Sequence, residues 1–313
     1  MPTLITRGSV SARSYGFGAA RKNVQNIYTA NYTASTVSKI TLAGVVTATW
    51  TVGANPQGIA IDSSGNVYTA NYSANTVSKI TPAGVVTIAW ATVGANPCAI
   101  AIDSSGNVYT ANYTASTVSK ITPAGVVTIA WATVGTNPTG IAIDSSGNYI
   151  PAPLYTCNYT FSQVSKITSA GVVTIAWGIA LGYNPNGIAI DSSSNVYTAN
   201  GGDNTVSKIT PAGVVTRAWA TVGADPYAIA IDSSGNVYTA NYTAGTVSKI
   251  TPAGVVTATW AVGAGANGIA IDSSGNVYTA NYTANTVSKI TPAGVVTATW
   301  ATVGSNPYCI AIY

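Results

Sequence analysis

Seven near-identical blocks fill the chain from Asn26 to Tyr313, and no other feature limits its fold so narrowly. The phrase Tyr-Thr-Ala-Asn-Tyr begins at Tyr28, Tyr68, Tyr109, Tyr238 and Tyr278. Altered copies begin at Tyr155 and Tyr197, so the spacings are 40, 41, 46, 42, 41 and 40 residues. A period of this length belongs to propellers, solenoids and arrays, whose units bury their apolar faces only against each other.

One block shows the local structure. Gly268-Ile-Ala-Ile-Asp272 has the length and apolar character of a strand, and Ser273-Ser-Gly275 follows it as a turn. Asp at the start of that turn and Gly three residues later fit a type I turn closed by a left-handed glycine. Asn276–Asn281 reads as a second strand and Thr286–Thr291 as a third, rich in β-branched residues. Pro292-Ala-Gly294 supplies the next turn, with proline presetting φ. In the fourth strand, Val295–Trp300, residues Val296, Ala298 and Trp300 alternate with Val295, Thr297 and Thr299. Four short strands in a meander make a marginal sheet with two apolar faces, and radial stacking buries both. The expected fold is therefore all-β: a seven-bladed β-propeller of four-stranded antiparallel blades. A β-solenoid is the alternative, but it calls for shorter repeats and a capped end.

The termini predict closure. The first block opens at a second strand, Asn26–Asn31, while the chain ends on a lone first strand within Asn306–Tyr313. The C-terminal strand is expected to join the N-terminal blade and remove the open edges. The division that follows is an N-terminal arm, 1–25, and a propeller, 26–313.

Composition narrows the function. Charged residues make up only 6% of the chain, against about 25% in typical soluble domains. The net charge of +4 is too diffuse for a nucleic-acid surface. No apolar run is long enough for a membrane helix, and the first residues lack the apolar region of a signal peptide. Cys98, Cys157 and Cys309 sit at unequal repeat positions and are expected as free thiols. Eight Asp are present with no Glu and no His, and six of them (Asp62, Asp103, Asp144, Asp191, Asp232 and Asp272) share one turn position, where they accept N–H bonds.

The pattern Asn-Pro-x-Gly-Ile-Ala-Ile-Asp-Ser-Ser-Gly-Asn-Val-Tyr-Thr-Ala-Asn, followed by Thr-Val-Ser-Lys-Ile-Thr-Pro-Ala-Gly-Val-Val-Thr, resembles the NHL and streptogramin-lyase group of propellers over 26–313. That resemblance implies seven blades. For the lyases it also implies a histidine base and a metal near acidic residues, and for lactonase-type propellers a calcium-binding Glu. This chain has neither His nor Glu, so no catalytic residue, metal or cofactor is expected.

Among the repeated side chains, the seven Trp read as inter-blade packing, and the repeated Lys read as reaching solvent along the third strand. The binding candidates are the pairs Asn31-Tyr32, Asn71-Tyr72, Asn112-Tyr113, Asn158-Tyr159, Asn241-Tyr242 and Asn281-Tyr282. Each ends a second strand beside the inter-blade connection, so one face would offer rigid phenols and adaptable amides to polar ligands. All six pairs also form Asn-x-Ser/Thr sequons. The copying breaks at Tyr149–Leu154 and at Gly201-Gly202-Asp203, which marks one side for a distinct contact. Residues Leu4–Gly18 resemble glycine-rich leaders of phage virion and tail-associated proteins. That resemblance implies an anchoring arm with Arg7, Arg13, Tyr15, Phe17 and Arg21 as contacts. The expected function is thus a non-enzymatic structural or adhesion module on a virion or extracellular surface. Its partners would be other surface proteins through residues 1–25 and possible glycans on the loop face. A soluble lectin-like propeller is the second reading and a lyase- or lactonase-type enzyme the third.

Overall fold

The computed structural model describes residues 25–145 and 152–313, and these form one closed ring of seven four-stranded antiparallel sheets. Blade 2 shows the plan: β4 (Pro56–Ile61), β5 (Val67–Asn71), β6 (Thr76–Ile80) and β7 (Val86–Thr92) pair in chain order from the axis outward. Twenty further strands repeat it in blades 3 to 7, over 97–133, 138–178, 185–221, 226–261 and 266–302. Blade 1 takes β1 (Asn26–Asn31), β2 (Thr36–Thr41) and β3 (Val46–Thr51) from the N-terminal side of the ring. Its innermost strand is β28 (Pro307–Ile312). Closure occurs as expected, with Ile27 opposite Ile312 and Thr29 opposite Ile310. The alternative solenoid is thereby excluded. No helix occurs among the described residues, and none is long and apolar enough to cross a membrane.

Burial falls from the axis outward. The inner strand of blade 2 is buried at every position, whereas its outer strand is half-buried or exposed at all but Ala91. Ile59, Ile100, Ile141, Ile188, Ile229, Ile269 and Ile310 are fully enclosed between sheets, as the apolar inner runs require.

The Trp residues pack between blades. Trp50 lies against the Pro-Ala-Gly turn of blade 2, where a Cβ on Gly84 would stand 3.0 Å from Trp50 Nε1. Gly84 also holds φ at +84°, so both the turn and the indole demand glycine there. Trp300 makes the same contact on Gly44 of blade 1, which carries the pattern across the closure. The repeated Lys differ from expectation: Lys79 Nζ lies 5.5 Å from the Tyr68 ring and 5.4 Å from the Trp90 ring. Its stem covers apolar surface while its charge meets two π faces. The three cysteines are buried and form no disulfide, as expected.

The repeated Asp caps the turn between the first two strands. In blade 3, Asp103 Oδ1 accepts the Ser105 and Asn107 N–H groups, and Oδ2 accepts Asn107 Nδ2 at 2.8 Å and the Tyr109 hydroxyl at 3.0 Å. Burial, reinforced by this carboxylate, pushes the Tyr109 phenol well above its ordinary value of 10.0. Tyr68, Tyr197, Tyr238 and Tyr278 are raised for the same reasons. A raised folded-state pKa contributes stability that is fully present below the unfolded pKa and lost as pH climbs past it. Urea titrations should therefore show that these phenols leave stability flat up to about pH 10 and lower it steadily above. An unchanged midpoint between pH 9 and 11.5 would contradict this role.

Candidate functional site

Each inner strand starts with a β-bulge. In blade 2, Pro56 pairs with Asn71 and Gly58 with Ala70, leaving Gln57 between them without a partner in the ladder. The same irregularity isolates Cys98, Thr139, Asn186, Tyr227, Asn267 and Tyr308. A bulge re-aims a side chain, and here it occurs seven times around the axis. These residues are the x of the repeat pattern, the most variable position of a strand whose Ile-Ala-Ile end is copied seven times. Four of them latch onto the next blade: Cys98 Sγ donates to Pro138 O, Thr139 Oγ1 to Pro185 O, Asn186 Nδ2 to Pro226 O and Asn267 Nδ2 to Tyr308 O. Gln57 is only 8% exposed, and it stands at the axial end of its strand.

A second ring comes from the Asn-Tyr pairs, which the structure splits by role. All six Asn are fully buried. In blade 3, Asn112 Oδ1 accepts Thr110 Oγ1, while its Nδ2 donates to Thr117 Oγ1 and Ser119 Oγ. Asn31, Asn71, Asn241 and Asn281 repeat the whole arrangement, and Asn158 keeps its Thr156 and Ser165 contacts. Amides enclosed in this way are taken up by the hydrogen-bond network of their own blade. The tyrosines Tyr32, Tyr72, Tyr113, Tyr159, Tyr242 and Tyr282 are half-buried instead. They stand where each second strand meets the inter-blade connection: Tyr72 N donates to Asn55 O, and Tyr113 N to Asn96 O.

The two rings meet at the axial mouth and make it lopsided. In blades 6, 7 and 1 the rings of Tyr227, Tyr242, Tyr282, Tyr308 and Tyr32 form one continuous cluster. Its centroids lie 5.6 Å (Tyr227–Tyr242), 6.0 Å (Tyr282–Tyr308) and 5.7 Å (Tyr32–Tyr308) apart, and the Tyr227 and Tyr308 hydroxyls meet at 3.2 Å. In blade 5, Gly201 occupies the tyrosine position, and a cavity of about 490 Å³ opens there. Tyr72, Tyr113, Tyr159, Tyr227 and Tyr308 contribute its rings, Gln57, Asn184 and Asn186 its amides, and Asp225 its only carboxylate. Its size suits a small organic molecule.

The rim beside Gly201 is braced by three further departures from the repeat. Arg217 Nη2 lies 2.9 Å from Asp203 Oδ2, the one ion pair among the described residues. Asp203 also accepts the Tyr183 N–H at 3.1 Å, and the guanidinium stacks 5.0 Å from the Tyr183 ring. The expectation of a distinct contact around 201–203 thus meets a cavity wall and its brace, whereas 149–151 lie outside the described residues.

The donors at the mouth do not fit the base and metal that the lyase resemblance implies. It has one carboxylate and no imidazole, and no three His, Cys, Asp or Glu converge among the described residues.

Residues 19–242 match the model of the virginiamycin B lyase family. The chain belongs to that family. No protein of curated function is similar to it in sequence. Its ring is similar to virginiamycin B lyase from Staphylococcus aureus, with TM-score 0.68 at 16% identity over 87% of each chain. It is also similar to hydrazine synthase of Kuenenia stuttgartiensis, with TM-score 0.68 at 18% identity over 83% of this chain and 90% of that one. A third similar ring occurs in a nidogen–laminin complex, with TM-score 0.56 at 16% identity over 76% and 93%. Likenesses this distant show the fold alone.

The family match overturns the expected virion or surface adhesion role. A lyase-family model spans most of the ring, and no relative named here supports a phage protein or a glycan binder. The physical reason for the error is plain: a short polar leader carries little sequence information, whereas the repeat carries much. Arg7, Arg13, Tyr15, Phe17 and Arg21, the anticipated arm contacts, lie outside the described residues.

Sequence reasoning missed the bulged ring, although a signal was present. Gln57, Cys98, Thr139, Asn186, Tyr227, Asn267 and Tyr308 hold the most variable position of a strand whose Ile-Ala-Ile end is copied seven times.

Proposed function

We propose that this member of the virginiamycin B lyase family is a ligand-binding propeller that seats a small organic molecule in its axial mouth and has no histidine-based lyase activity. The observation that carries this reading is the coincidence of two features. The variable bulge residues and the tyrosine ring converge on a cavity of about 490 Å³, and the one blade lacking its tyrosine opens it. A structure of the Staphylococcus aureus enzyme with quinupristin uses a catalytically inactive variant in which a histidine is replaced by alanine. This chain has no histidine at all. Rigid rings and a few fixed polar groups are what recognition requires, whereas general acid–base work needs a titratable group matched to its target.

Two measurements test this. Liquid chromatography with tandem mass spectrometry of quinupristin incubated with the protein should show one unchanged peak, and a new peak with the fragments of a linear isomer or hydrolysis product would refute the non-catalytic part. Crystals soaked in a neutral fragment set should show density between Tyr159 and Tyr308. Fragments found only on the outer blade faces would refute the mouth as the binding site.

A further inference from the structure

The polar groups of the mouth allow the ligand class to be named, on the reading that the mouth is the binding site. Six blades place a tyrosine ring at its rim, and blade 5 leaves that place open at Gly201. A Cβ on Gly201 would stand 2.7 Å from Asp225 Oδ1 and in contact with Asn186 Nδ2, so both groups line the root of the gap. Asp225 is itself a departure. Its equivalents are Asn55, Asn96, Asn137, Asn184 and Asn306, with Gly265 in blade 7, and Asp225 holds the same backbone, φ 56° against 54–55° for the asparagines. The carboxylate therefore does no backbone task that asparagine would not do. Its Oδ2 accepts the Thr243 hydroxyl at 3.2 Å, while Oδ1 lies toward the gap.

The charge around it is equally one-sided. The chain carries a net +4, yet among the described residues no Lys or Arg lines the cavity, and Asp225 is its only carboxylate. Tyrosine faces attract cations through their quadrupoles, and a carboxylate in a partly desolvated mouth adds a charged hydrogen-bond acceptor. The Gln57 amide, which lines the same cavity, offers a second polar contact.

We propose that the mouth binds a primary arylalkylammonium ion. Its ammonium sits on Asp225 Oδ1, and its ring fills the gap that tyrosine fills in the other six blades.

Titrating phenethylammonium by calorimetry or NMR tests the assignment against 2-phenylethanol, its neutral counterpart. The amine should bind at least tenfold more tightly than the alcohol, and more weakly as salt rises. Asp225→Asn restores the residue used in five of the other six blades, so it should fold normally and weaken the amine at least tenfold while leaving the alcohol unchanged. Gly201→Tyr combined with Asp225→Asn recreates the Asn267, Tyr282 and Asn306 grouping at blades 7 and 1, and it should abolish both. Equal affinity for amine and alcohol, an Asp225→Asn effect below twofold, or no binding of the amine would each overturn the cation assignment. If both probes bind alike and both are lost on filling Gly201, the mouth stands as the site and only the ligand class falls. If filling Gly201 changes neither, the mouth reading fails with it.

Discussion

Truncation after Gly304 is expected to leave a chain that no longer melts cooperatively. The removed segment is the inner strand of blade 1, and it closes the ring through Tyr313 N–Asn26 O at 3.0 Å, Asn26 N–Tyr313 O at 2.8 Å and Tyr32 N–Asn306 O at 2.9 Å. Cys309, Ile310 and Ala311 are essentially unexposed, and Tyr308 holds the centre of the mouth's aromatic cluster. Burying such side chains contributes about 1.5–3 kcal/mol each for the larger ones, and each ladder hydrogen bond adds roughly 1 kcal/mol. The sum approaches the whole stability of an ordinary domain, about 5–15 kcal/mol. Truncation would also expose the edge of β1 to other chains. Calorimetry should show no transition at the full-length temperature, and a peptide of residues 305–313 added in trans should restore it by strand addition. A truncated chain that melts within a few degrees of the intact one would show that the ring does not depend on its clasp.

The second large effect is expected at the buried asparagine of a single blade. Asn112→Ala removes an amide that accepts from Thr110 Oγ1 at 2.9 Å and donates to Thr117 Oγ1 at 3.1 Å and Ser119 Oγ at 2.9 Å. Ser119 Oγ in turn donates to the Ile129 carbonyl and accepts the Gly94 N–H at 3.2 Å, which ties the incoming connector to the blade it enters. Gly94 is required by the same contact, since a Cβ there would stand 2.6 Å from Asn112 Nδ2. The substitution strands two hydroxyls in a dry interior and leaves a void, together about 3–5 kcal/mol. Urea denaturation should show this as a lowered midpoint. Tyr113→Phe, next along the chain but half-exposed at the mouth, should shift the midpoint by less than about 0.5 kcal/mol. Equal effects from the two substitutions would mean that the amide network is not what holds the second strand.

The contrast between neighbours Asn112 and Tyr113 shows where sequence reading stops. Both follow one strand and precede one turn, and by local chemistry both belong to a loop face. Only the ladder alternation, taken with the neighbouring Thr and Ser hydroxyls, sends the amide inward and the ring outward. The lysines show the same limit from the other direction. Lys79 on the third strand reads as solvated, yet its cross-strand partner Tyr68 and Trp90 of the same blade lie beneath it.

Blade number, strand order, turn type and the C-terminal clasp were legible from the chain because each depends on local rules repeated seven times. Period-two alternation, Pro and Gly at fixed offsets and an orphan last strand leave little freedom. The mouth was not legible in that way. Its floor is set by a bulge that a linear pattern does not display, and its opening by the side chain that Gly201 lacks. Its charge comes from Asp225, which the chain places 24 residues away and the ring places at the root of the gap. Closing seven blades on one axis is what brings these residues together, and no local rule contains that axis.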